Sequence, residues 1–92
     1  MPYLKIENRG YFIPLLEHLN HCAIANGGEL NFLFTEIIKQ YMQTHSKDYR
    51  TCNDIVGALE CCKQEFYRRI VGPYENEKIA QNGDVYFPVE VD

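Results

Sequence analysis

Leu30, Leu33, Phe34, Ile37, Ile38, Tyr41 and Met42 recur at spacings of three and four. An α-helix turns once every 3.6 residues, so this spacing gathers them into one apolar stripe over three turns. Asn31, Thr35, Glu36, Lys39 and Gln40 lie between them and form a polar face. A second stripe, Ile55, Leu59, Cys62, Phe66 and Ile70, follows the same period and is widened by Val56, Ala58 and Cys61. In a chain of 92 residues and 10.8 kDa, two such helices take up much of the length. The expected fold is mainly α, a small helical hairpin or bundle of three to four helices in a single domain over residues 1–92. A multidomain enzyme is excluded by size. The expected core sets Leu30, Leu33, Phe34, Ile37, Ile38 and Tyr41 against Ile55, Leu59, Cys62 and Phe66.

Local signals place the remaining elements. Met1 to Ile6 reads as an extended arm, since Pro2 cannot sit inside a helix, and Glu7-Asn8-Arg9-Gly10 reads as a turn. Pro14 suits the first turn of a helix carrying Leu15, Leu16, Leu19, Cys22 and Ala23. Asn26-Gly27-Gly28 is expected to close it, because glycine readily takes the left-handed conformation after a helix. His45 to Arg50 reads as a polar loop. The third helix is expected to open at Thr51 or Asn53, and Thr51 with Asp54 three residues on resembles a capping box. Gly72-Pro73 interrupts that helix, and Pro73 opens a short fourth one from Tyr74 to Gln81, closed by Asn82-Gly83. Residues 85–91 alternate weakly and read as a strand or a second extended arm.

Hydrophobic residues make up 46% and charged residues 24%, values of a globular chain and not of a disordered one. The net charge is −4, which argues against non-specific binding to a phosphate backbone. No run of residues is long and apolar enough for a membrane span, and the start of the chain lacks a secretory pattern. A cytoplasmic protein with reduced thiols at Cys22, Cys52, Cys61 and Cys62 is expected. Two arms rich in apolar residues are hard to bury in so short a chain, so a homo-oligomer is expected as well.

Several constellations bear on chemistry. His18, His21 and Cys22, joined by Cys61 or Cys62, have the donor types of a zinc site but not a zinc-finger spacing. The plainer reading puts Cys22 and Cys62 in the core as small hydrophobes, with both histidines in solvent. Buried thiols are poor nucleophiles. Ser46 is the only serine and lies in a polar loop, and Gly27-Gly28 is too short for a phosphate loop. No catalytic residue and no cofactor is therefore assigned. Asn53-Asp54 and Asn82-Gly83-Asp84 lack the alternating ligands of a calcium loop and read as cap and turn. The richest polar cluster is Lys63, Tyr67, Arg68 and Arg69, with Tyr74 just beyond. Guanidinium groups grip phosphate and tyrosine rings stack on bases, so these five residues are the candidate ligand site for an anion. The competing reading makes Glu60, Glu65, Arg68 and Arg69 ordinary ion pairs on a helix surface.

Met1-Pro2-Tyr3, Gly28-Glu29-Leu30-Asn31, the run Asn53 to Cys61, Glu65-Phe66-Tyr67-Arg68-Arg69, Pro73-Tyr74-Glu75 and Asn82 to Tyr86 occur together. With these motifs the chain resembles a family of small uncharacterised proteins of phages and bacteria, from Met1 to about Tyr86. The family has no settled activity, so the resemblance implies provenance and not chemistry. By analogy with small phage proteins, it suggests a non-enzymatic binder, a phage accessory or counter-defence protein. Such a protein would sequester a host protein or a nucleotide-type signal. The alternative is a structural or assembly protein that acts through helical oligomer interfaces.

Overall fold

The computed structural model describes residues 4–88. Its order is a 3-10 helix Ile6–Phe12, α1 (Ile13–Asn20), α2 (Gly27–Gln43), α3 (Tyr49–Phe66), a π-helical turn Tyr67–Val71, and α4 (Gly72–Asn82). No strand occurs among the described residues. The fold is mainly α, as the two stripes require. The chain divides into two compact units, Met1–Thr51 and Cys52–Asp92.

In the first unit the expected turn at Glu7–Gly10 is instead part of the 3-10 helix. Arg9 holds its entry by donating from Nε to the Leu4 carbonyl at 3.0 Å. Of the expected arm, residues 1–3 lie outside the described residues, and Ile6 is already helical. Pro14 sits in the first turn of α1, where its missing N–H costs no hydrogen bond. His21 closes that helix, its Nδ1 2.8 Å from the Glu17 carbonyl.

Asn26 does not end α1; it opens α2. Its side chain accepts from the Glu29 N–H at 2.9 Å, and the Glu29 carboxylate accepts from the Ala25 N–H at 3.0 Å. Two otherwise orphaned donors are thus satisfied reciprocally, which outweighs the glycine signal at Gly27-Gly28. At the other end the Tyr41 carbonyl lies 2.7 Å from His45 Nδ1. A carbonyl only accepts, so that nitrogen carries the proton. The imidazole also stacks on the Tyr41 ring, 3.8 Å between centroids.

α3 begins two residues before Thr51, because Asp48 is its cap: the Thr51 N–H donates to Asp48 Oδ1 at 3.0 Å. Nor does Gly72-Pro73 break the chain of helical turns. Pro73 has no N–H to give to the Arg69 carbonyl, and its ring would crowd that carbonyl. The backbone widens by one residue, and the Gly72 N–H bonds the Tyr67 carbonyl instead. A side chain at Gly72 would meet that carbonyl at 3.2 Å, so glycine suits the tight turn. Gly83 ends α4 at φ 89°, where glycine is unstrained. Beyond it, the Tyr86 N–H donates to Asp84 Oδ1 at 2.8 Å. Residues 85–87 form a bend and not a strand, and 89–91 lie outside the described residues.

Leu30 to Tyr41 of the expected core belong to the first unit, and Ile55 to Phe66 belong to the second. Among the described residues no hydrophobic side chain is buried, and Thr51 is the single buried residue. Leu30, Phe34 and Leu59 are each more than two-fifths exposed, and Ile37 is 65% exposed. Leu33, Ile38, Tyr41 and Ile55 are half-buried. Helical spacing dictates which face is apolar. It does not supply the surface that covers that face.

Candidate functional site

The expected ligand cluster sits where α3 gives way to the π turn and α4. Lys63 is on the last turn of α3, Tyr67, Arg68 and Arg69 are on the π turn, and Tyr74 is on the first turn of α4. All five belong to one continuous run of helix, so no second element brings them to a common point. Lys63 Nζ lies 3.7 Å from Glu60 Oε1, and Arg69 Nη1 lies 3.1 Å from Glu65 Oε1. Both basic heads are engaged by carboxylates one turn away on their own helix. Such exposed pairs contribute at most about 1 kcal/mol. Arg68 makes no ion pair among the described residues. Tyr67 and Tyr74 are both more than half exposed, and Lys78 Nζ lies 5.4 Å above the Tyr74 ring.

Among the described residues no three His, Cys, Asp or Glu groups stand close enough to share a metal ion. His18 and His21 are exposed, and His21 is turned back to cap α1. The four cysteines are free and exposed, contrary to the expectation that Cys22 and Cys62 fill a core. Cys22 Sγ donates to the His18 carbonyl at 3.3 Å. No helix among the described residues is long and apolar enough to cross a membrane.

The described residues of both units carry exposed apolar side chains on their helices. Spacing alone marks the residues concerned but leaves open whether they face a core or solvent. A family model for a domain of unknown function, DUF6899, matches residues 1–85. The chain belongs to the DUF6899 family. The DUF6899 match takes in every described helix and every residue of the candidate cluster, and it stops at the bend after Asp84. No curated protein and no solved structure matches the chain. The family description carries no activity, so chemistry in this DUF6899 chain has to be argued from its own residues.

Proposed function

We propose that this protein is non-enzymatic and acts through its apolar helix faces, as an assembly or interaction protein that associates with other polypeptide. The observation that supports this reading is the absence of any buried hydrophobic side chain among the described residues, on helices with sustained apolar stripes. Helices in water owe most of their stability to packing of an amphipathic face. Monomeric soluble proteins rarely expose contiguous apolar patches larger than about 300–600 Å². Side chains such as Leu30, Phe34, Ile37, Leu59 and Phe66 gain free energy only when something covers them, roughly 1.5–3 kcal/mol each on full burial.

The sequestering reading, in which a nucleotide-type anion or a host protein is held near Lys63, Tyr67, Arg68, Arg69 and Tyr74, draws less support for its small-molecule form. Two of the three cations already face carboxylates, and the five residues lie along one helix. Its host-protein form is compatible with interaction through apolar faces. In either form the protein works in the cytoplasm, that of a bacterial host if it is phage-encoded.

Native mass spectrometry of the protein as purified tests the proposal. A mass of two or more polypeptides with no retained small molecule or metal is expected. A monomer carrying a stoichiometric small molecule or metal ion would overturn it.

A further inference from the structure

Two asparagines of the chain are followed by glycine, Asn26-Gly27 and Asn82-Gly83. Glycine has no side chain to keep its backbone nitrogen away from the asparagine amide. The fold treats the two pairs differently. Asn26 stands just outside α2 in extended backbone, φ −158° and ψ 174°, and Gly27 is the first residue of that helix. An N–H in the first turn has no acceptor within its own helix, and that of Gly27 finds none elsewhere among the described residues. The Asn26 amide is folded forward over the same turn. Its Oδ1 accepts from the Glu29 N–H at 2.9 Å, and a side chain at Gly28 would meet that oxygen at 3.3 Å. Asn82 is instead inside α4, and the Gly83 N–H is engaged by the Ile79 carbonyl at 2.8 Å.

We propose that Asn26 is a site of self-modification, which deamidates through a cyclic imide with Gly27 while Asn82 is held back. The Gly27 nitrogen gives its proton to water or hydroxide and bonds Asn26 Cγ. The Cγ–Nδ2 bond breaks, and Nδ2 takes up a proton and leaves as ammonia. Water then opens the ring at either carbonyl. One opening leaves aspartate; the other leaves isoaspartate, in which the main chain runs through the former side chain. No oxidant or reductant is needed.

Two features of the fold favour the step. Negative charge develops on the Gly27 nitrogen and then on Oδ1, both at the positive end of α2. The Glu29 N–H already points at Oδ1, where it supports the oxyanion. The aspartate product keeps the cap and adds a negative charge that a helix start accommodates. The isoaspartate product lengthens the backbone ahead of Gly27 and disrupts the cap.

Peptide mapping of the full chain by mass spectrometry tests the site, after incubation at mildly alkaline pH in buffer and in urea. Circular dichroism reports that helix is present in the first and absent in the second. In buffer, deamidation at Asn26 is expected to run several-fold faster than at Asn82. In urea both pairs are plain Asn-Gly, and the two rates are expected to converge. Equal rates in buffer or a faster Asn82 would overturn the inference. So would an equal preference for Asn26 in urea, because sequence and not structure would then set it.

Discussion

At the scale of single residues, the helix ends are held by four side chains that each satisfy a backbone group. Asn26 and Asp48 accept from N–H groups at the starts of α2 and α3, and His21 and His45 serve carbonyls at the ends of α1 and α2. Changing Asn26 to Ala leaves the Glu29 N–H without its partner. It should cost about 1 kcal/mol, read as a lower thermal midpoint by circular dichroism. Gly57 is the opposite case. A side chain there meets nothing within 4 Å. Gly57→Ala should therefore stabilise α3 by roughly 1 kcal/mol, through reduced backbone freedom in the unfolded chain, without altering the oligomer mass. A destabilised Gly57→Ala protein would mean that another chain approaches that position closely.

At the scale of elements, Pro73 decides the character of the long helix. Restoring an N–H with Pro73→Ala should let residue 73 bond the Arg69 carbonyl and convert the π turn to α-helix. The thermal midpoint should rise, by at most about 3 kcal/mol in stability. Hydrogen-bond couplings measured by NMR would show the Gly72 N–H moving from the Tyr67 to the Arg68 carbonyl; an unchanged Tyr67 partner would place the cause elsewhere. The four α-helices were largely legible from residue spacing, because amphipathic period is a local property. Their boundaries were less so. Asn26-Gly27-Gly28 carries a stop signal and a start signal at once, and the Asn26-x-x-Glu29 pairing wins because it satisfies two donors. Thr51 carries a cap signal, yet Asp48, three residues before it, holds that position. Pro73 signals a break because proline removes a bond, but a π turn offers a way around the loss. In the candidate cluster the ion pairs of Glu60 and Glu65 followed from helical spacing. A pocket would need a second element, and spacing on one helix says nothing about that.

At the scale of the whole molecule, high helical content stands beside the lack of buried hydrophobic side chains among the described residues. Conformational entropy opposes each ordered residue by about 1–2 kcal/mol, and half-exposed leucines and phenylalanines offset little of it. In the proposed assembly, association supplies burial and makes stability depend on protein concentration. If the apolar helix faces carry the proposed association, added salt should change the oligomer mass little, in contrast to an assembly held by ion pairs. The most direct measurement is thermal unfolding by circular dichroism across a roughly hundredfold dilution, where linkage requires the midpoint of an associated fold to move. The account predicts a midpoint, and a helical signal, that fall steadily on dilution. A midpoint that stays constant over that range would contradict it, because the helices would then be stable without any partner.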